Sequence, residues 1–187
     1  MQQTIVLIRG YSQSGKDFIG RALCQRYEFQ RFAFADALKC IVASLYNCPI
    51  ETLHSQHGKQ QICETDPQKR TYRQILIEEA LRLRAIDDTM FVKECCQAIM
   101  KQNAPRIVIT DWRYPIEYTL MCTLFPDANV IPLHIAREGM NPSPVKDISE
   151  HHLDDRVEDY QIINTMDARV HQGIHRFVES IHVITRS

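Results

Sequence analysis

The residues with the most chemical capacity stand near the start of the chain. Gly10-Tyr11-Ser12-Gln13-Ser14-Gly15-Lys16-Asp17 has the spacing G-x-x-x-x-G-K, followed by Asp where Ser or Thr is usual. Two glycines around four residues let the backbone turn tightly, so that successive N–H groups converge on one centre. A helix opening near Gly15 adds the positive end of its dipole, and Lys16 adds a full charge. Such a loop holds phosphate groups, with Gly10, Ser12, Ser14, Gly15 and Lys16 as the expected contacts. Asp17 sets a carboxylate beside them, an oxygen ligand of the kind magnesium prefers, directly or through water.

A second carboxylate follows the apolar run Ile107-Val108-Ile109-Thr110. Asp111 sits where a strand should end, and open α/β sheets gather ligands at the carboxyl ends of their strands. Metal or acceptor work is one reading of Asp111; capping the helix that Pro115 introduces is the other.

Transfer of phosphate between small molecules needs a second anion site facing the first. The segment from Arg70 to Arg84 offers one. With Arg73 at zero and 100° per residue, Arg84 falls at about 20° and Arg70 at about 60°. Leu76, Ile77, Ala80, Leu81 and Leu83 lie near the same line, while Gln74, Glu78, Glu79 and Arg82 take the other side. The three arginines are therefore expected on a buried face, which is costly unless anions meet them there. Snorkelling of Arg70 and Arg84 to water is the plainer alternative.

These residues need elements to carry them. The sequence predicts strands over 4–9, 29–35, 106–110, 129–136 and 160–163. It predicts helices over 15–27, 36–45, 71–84, 88–102, 115–125 and 166–181, with residues 48–69 a loop around a short helix. Short apolar runs alternating with helices imply a parallel sheet covered on both faces, an α/β fold. A loop at 137–147 holds Gly139, Pro142 and Pro144 and has the composition of a lid.

Length and composition set the outer limits. The 187 residues carry 22 Lys plus Arg against 23 Asp plus Glu, a formal net charge of −1. That balance argues against a nucleic-acid polymer or a membrane surface as partner. The chain is long enough to bury roughly 70% of its unfolded surface in one domain. Seven cysteines, without any C-x-x-C, read as small buried hydrophobes of a cytoplasmic protein. No apolar run approaches a membrane span and no basic leader precedes the first strand. A GTPase would carry N-K-x-D, which is missing, and a motor or helicase needs more chain. His171 and His175 have metal-ligand spacing but no evident third ligand, and read as surface histidines. Trp112 is equally suited to stacking on a base and to packing.

At this point the chain resembles a family. Besides the loop, the signposts are Phe34-Ala35-Asp36-Ala37-Leu38-Lys39, Tyr72-Arg73-Gln74-Ile75-Leu76 and Ile109-Thr110-Asp111-Trp112-Arg113-Tyr114-Pro115-Ile116-Glu117, with Ser149-Glu150 and Tyr160-Gln161-Ile162-Ile163-Asn164 later. Together they look like the deoxynucleoside monophosphate kinases of bacteriophages and large DNA viruses. Animal phosphomevalonate kinases share G-K-D-F, D-x-R and S-E-x-x-L-D, and are the runner-up. The resemblance implies a P-loop NTPase fold, three-layered α/β/α, with a five-stranded parallel sheet in one domain. Its core would be about 1–47 and 103–187, its helical acceptor region about 48–102 and its short lid about 137–150.

The resemblance also implies roles. Lys16 and the loop amides would hold ATP, with Arg137 at the lid and Asn164 at the loop near adenine. Asp17 and Asp111 would hold magnesium. Lys16, Asp36, Asp111 and Arg113 would serve the transfer. Asp36, Lys39, Arg70, Arg73, Arg84, Trp112 and Arg113 would bind the acceptor, Glu117 bracing Arg113. The partners implied are small-molecule nucleotides, and a homodimer is left open. Two departures are visible: Thr165-Met166-Asp167 lacks the family's glycine, and Ile77-Glu78-Glu79-Ala80 stands where L-G-T is usual.

Overall fold

The structure, a computed structural model, describes residues 2–140, 151–156 and 160–184, with side chains to Ile181. In chain order the elements are β1 (Thr4–Arg9), α1 (Lys16–Tyr27), β2 (Gln30–Phe32), α2 (Ala35–Leu45), α3 (Ile50–His54) and α4 (Gln56–Gln60). Then come α5 (Tyr72–Ile86), α6 (Met90–Gln102), β3 (Arg106–Ile109), α7 (Pro115–Leu124), β4 (Asn129–Arg137), β5 (Tyr160–Asn164) and α8 (Arg169–Ile184). The chain divides into two compact units, Met1–Ala33 with Ala98–Ser187, and Phe34–Gln97.

The first unit is built on a parallel sheet of order β2-β3-β1-β4-β5. Its centre reads as unbroken apolar runs because both faces are covered. Val6, Ile8, Val108, Leu133, Ile135 and Ile162 meet Ile19 and Leu23 of α1 and Val170, Ile174, Phe177 and Ile181 of α8. Each such side chain contributes roughly 1.5–3 kcal/mol by leaving water. The alternate residues Ile5, Leu7, Ile107 and Ile109, fully buried, point to the opposite face, where α7 lies along β4.

Register and topology then place the loops. Arg9 pairs with His134, and Arg137 pairs with Asn164, so β4 carries both neighbours' ends to one edge. The chain leaves β1 toward β2 and leaves β4 toward β5, in opposite directions. A crevice opens at the carboxyl ends where this divergence occurs. The expected strand over 29–35 keeps only Gln30–Phe32, because it pairs on one side alone and turns at once into α2. The last helix starts at Arg169 rather than 166, since Asp167 accepts from the Arg169 N–H at 2.9 Å and from the Thr165 hydroxyl at 2.8 Å. The expected lid lies outside the described residues from 141 to 150.

The second unit is helical. Thr71 opens α5 through a capping box with Gln74, the side chain of each accepting from the other's backbone N–H. Two short helices, α3 and α4, replace the single one expected within 48–69. Ser55 caps α4 by accepting the Gly58 N–H at 2.8 Å.

Candidate active site

The loop from Gly10 to Gly15 joins β1 to α1 and its shape is set by its neighbours. Gly10 has φ +148° and Gly15 φ +99°. A Cβ at Gly10 would strike the Ile135 carbonyl of β4, and one at Gly15 would strike the Asn164 amide of β5. Both positions thus demand glycine for conformation and for space. Gln13 takes φ +64° between them. Gly15, the N-cap of α1, has no side chain to cap the helix, and the first-turn N–H groups of an α-helix have no partner within it. The ammonium of Lys16 lies on the same loop, donating to the carbonyls of Gly10 and, at 2.7 Å, Tyr11.

Two distant residues hold this loop. The buried amide of Asn164 donates to the Ser14 carbonyl at 3.0 Å, while its own oxygen accepts from the Met166 N–H at 3.1 Å. Arg137, at the end of β4, donates to the Gln13 carbonyl at 3.3 Å. The structure therefore brings Gly10, Ser14, Gly15, Lys16, Arg137 and Asn164 together, and Asn164 does so by bracing the loop. The Ser14 hydroxyl is buried and finds no hydrogen-bond partner among the described residues, while Ser12 is exposed.

The end of β3 supplies the facing wall. The Trp112 N–H donates to the Ile8 carbonyl at 3.2 Å, stitching this loop to β1. Glu117, 1% exposed, accepts from the backbone N–H groups of Arg113 at 2.8 Å and Tyr114 at 3.0 Å. Glu117 thus braces Arg113 through its backbone. Trp112 is itself packed, its indole N–H donating to the Tyr114 carbonyl at 3.0 Å. A cleft results, lined by Arg9, Gly10, Tyr11, Lys16, Trp112, Arg113 and Leu153.

The residues also suit magnesium. Asp17 stands exposed in the first turn of α1 and Asp111 half-buried at the end of β3. Magnesium takes one or two carboxylates and completes its shell with water and substrate phosphate. Among the described residues no three metal-binding side chains gather, and His175 instead meets Tyr27 and Glu179.

In the helical unit the arginines lie differently from expectation. Ile75 is the buried centre of α5, whereas Arg73, Ile77 and Leu81 are exposed. The predicted face was weighted by Ile77 and Leu81, apolar residues that the unit leaves in the open. Burial cost therefore gives no argument for an anion at Arg73, which donates to Gln56 at 2.7 Å. Arg70 is engaged by Asp66 through two bonds of 2.8 and 2.9 Å, and also meets Glu78. The Arg70 hydrogen bonds hold the buried Asp66 carboxyl down at about 2. Arg84 lies over the Phe91 ring, 5.2 Å from its centre. Asp36 and Lys39 form an ion pair of 2.8 Å one turn apart on α2.

Sequence reasoning missed a set of residues that the fold gathers at the cleft. Arg9 ends β1 at 8% exposure and donates to the Arg156 carbonyl at 2.8 Å. The guanidinium of Arg156 lies over the rings of Trp112 and Tyr118, at 5.0 and 4.2 Å. Asp154 accepts from the Tyr11 hydroxyl at 2.7 Å and lies 2.6 Å from His151 Nδ1. Desolvation pushes the Asp154 carboxyl up, but the bonds to His151 and Tyr11 and the charges of His151 and Arg9 outweigh it and hold it below its ordinary range. The one available signal was Arg9 itself, a charge closing an otherwise apolar strand.

No protein-family model matches the chain, and no curated protein matches it. Solved structures do. A candidate kinase from Chloroflexus aurantiacus superposes with a TM-score of 0.50 at 11% identity, over 97% of this chain and 98% of that one. TT1252 from Thermus thermophilus superposes with a TM-score of 0.50 at 14% identity, over 98% of each chain. At such identities the likeness concerns the fold. The chain shares with these structures a three-layer α/β/α fold, here with a five-stranded parallel sheet.

Proposed function

We propose that this chain moves the γ-phosphoryl group of ATP onto a deoxynucleoside 5′-monophosphate, giving the diphosphate that feeds dNTP synthesis. The observation that carries the reading is the cleft in which Lys16 of the phosphate loop and Arg113 of the β3–α7 loop line one space. One cation comes from the triphosphate-holding loop, the other from a separate strand end, as two phosphorylated substrates require. The D-W-R-Y-P-I-E and F-A-D-A-L-K motifs favour a nucleotide as the acceptor.

The chemistry asks little of a base, because the acceptor phosphate is already an anion. Positioning and charge neutralisation supply most of the rate. The loop amides and Lys16 hold the ATP phosphates, and Arg137 and Asn164 keep the loop in shape. Arg113, its backbone fixed by Glu117, holds the acceptor phosphate. The acceptor roles of Asp36, Lys39, Arg70, Arg73, Arg84 and Trp112 belong to this proposal and rest on the resemblance. Asp17 and Asp111 would hold magnesium, which when bound neutralises phosphate oxygens. A cytoplasmic location and small-molecule partners, without nucleic acid or membrane, complete the reading.

Leu153 lines the cleft and Asp154 bonds to the phosphate loop. Both end the S-E-x-x-L-D pattern shared with phosphomevalonate kinases, so phosphomevalonate is the second acceptor to test. The experiment is ADP release measured with the four deoxynucleoside monophosphates, their ribose counterparts and phosphomevalonate side by side. Turnover on a deoxynucleotide is expected. Turnover on phosphomevalonate alone would reassign the acceptor, and ATP binding without any product would indicate a nucleotide-binding module.

A further inference from the structure

We infer that Asp154 is a positioning residue for phosphoryl transfer: through the Tyr11 hydroxyl it fixes the turn whose carbonyl receives the Lys16 ammonium. The inference rests on reading the loop from Gly10 to Gly15 as the holder of the ATP phosphates. It assigns a role to a residue far outside the G-x-x-x-x-G-K pattern.

Tyr11 is the hinge of that loop. Its backbone carbonyl accepts from the Ser14 N–H at 3.1 Å, which closes a tight turn, and from the Lys16 ammonium at 2.7 Å. The direction of this one carbonyl therefore sets both the curvature of the turn and the placing of the charge. The side chain of the same residue is tethered outside the loop. Its hydroxyl donates to Asp154 Oδ1 at 2.7 Å, across 143 positions of sequence. The other carboxylate oxygen, Oδ2, lies 2.6 Å from His151 Nδ1, and the His151 and Tyr11 rings pack 5.4 Å apart. Desolvation pushes the Asp154 carboxyl up, yet the bonds to His151 and Tyr11 and the charges of His151 and Arg9 hold it below its ordinary range. It is therefore ionised at neutral pH and can only accept. A hydrogen bond to an ionised acceptor is shorter and stronger than a neutral one.

The tether is firm because the segment carrying Asp154 is itself held on both sides of the cleft. Residues 151–156 turn twice: the His151 carbonyl accepts from the Asp154 N–H at 3.2 Å, and the Leu153 carbonyl from the Arg156 N–H at 3.1 Å. Leu153, 4% exposed, lines the cleft. The Arg156 carbonyl accepts from the Arg9 guanidinium at 2.8 Å, where β1 ends. On the other wall the His152 ring packs 4.9 Å from that of Tyr114, and the Arg156 guanidinium lies 5.0 Å over Trp112. The end of β1 and the β3–α7 loop thus form the foundation of this turn, and Asp154 passes their fixity to Tyr11. A loop ordered in advance presents its N–H groups and its cation to phosphate without paying for that order on binding.

Calorimetry with ATP and magnesium, with no acceptor present, tests the inference on the full chain. The natural protein is compared with Tyr11→Phe, Asp154→Ala, Asp154→Asn and the Tyr11→Phe/Asp154→Ala double variant, and the melting temperature of each is recorded. Tyr11→Phe removes one oxygen and keeps the Asp154–His151 contact. It is expected to weaken ATP binding by about three- to tenfold, the range for one net hydrogen bond. Asp154→Ala should weaken binding by at least as much, and the double variant should be no weaker than Asp154→Ala, because both changes delete the same contact. Asp154→Asn keeps an oxygen for the Tyr11 hydroxyl and should recover most of the loss. A residue that merely holds the 151–156 turn together would lower the melting temperature in Asp154→Ala and leave ATP affinity intact in Tyr11→Phe. Natural affinity in Tyr11→Phe, or fully additive losses in the double variant, would overturn the inference. If Asp154→Ala does not fold, Tyr11→Phe and Asp154→Asn still decide. A natural chain that binds no ATP would overturn the phosphate-loop reading and this inference together, whereas natural affinity in Tyr11→Phe overturns the inference alone.

Discussion

The side-chain amide of Asn164 donates to the backbone carbonyl of Ser14 at 3.0 Å, across 150 positions of sequence. The last residue of β5 thereby holds the middle of a loop formed near the chain's start. Gly15 lies so close beneath that amide that no Cβ fits between them. The loop's curvature is thus a property of the sheet as well as of its own glycines.

Asn164→Ala removes the donor and leaves the Ser14 carbonyl without it. Stability should fall by about 1–3 kcal/mol, the cost of stranding a buried polar group. ATP binding should weaken by about tenfold as the loop loses its brace. Denaturant unfolding and calorimetry with ATP check the two effects. Loss of stability with full ATP affinity would show that the brace does not shape the loop.

Lys16→Ala should reduce phosphoryl transfer by about 10²–10³-fold or more, the scale for deleting one group that stabilises developing charge. The Lys16 ammonium donates to the Gly10 and Tyr11 carbonyls of its own loop, and circular dichroism of the variant checks that the fold is kept. Substantial retained activity would remove the phosphate-loop assignment.

Arg113→Ala should raise the acceptor KM by about 10- to 100-fold, matching the 1.5–3 kcal/mol of a charged hydrogen bond, with the ATP KM nearly constant. Glu117→Ala should raise it too, and also lower stability by about 1–3 kcal/mol, since two backbone N–H groups lose their acceptor. Steady-state kinetics in both substrates separates the cases. A change confined to the ATP constant would move the acceptor elsewhere.

The Asp66–Arg70 pair predicts a pH signature. Its hydrogen bonds lower the folded carboxyl from an ordinary 3.8 to about 2. A depressed folded value means stabilisation that is complete above the unfolded value and lost as pH falls through the folded one. The melting-temperature gap between the natural protein and Asp66→Asn should stay constant near neutrality, then close between about pH 4 and pH 2. A gap that persists at pH 2 would show that the ion pair does not contribute.

Much of this was legible in local sequence, and the reasons differ by element. Thr4–Arg9 is recognisable because a central parallel strand is apolar on both faces, and Gly10 and Gly15 mark the turn that follows. Glu117 and Pro115 foretell α7, since capping acts within four residues. The Asn164–Ser14 bond was hidden because it depends on β4 standing between β1 and β5, a matter of topology. The buried face of α5 differs from the predicted one because exposed Ile77 and Leu81 pull the apolar direction away from Ile75, the residue actually buried. The setting of Arg9 is not a local matter, since Asp154 and Arg156 beside it lie some 145 positions away in sequence.

The central claim is transfer of the terminal phosphoryl of ATP to a deoxynucleoside monophosphate. ATP labelled at the γ-position, incubated with magnesium and each monophosphate in turn, follows that group directly. The label should appear in a deoxynucleoside diphosphate at a rate that Lys16→Ala abolishes. Label found only in inorganic phosphate, or retained in ATP with every monophosphate, would contradict the account.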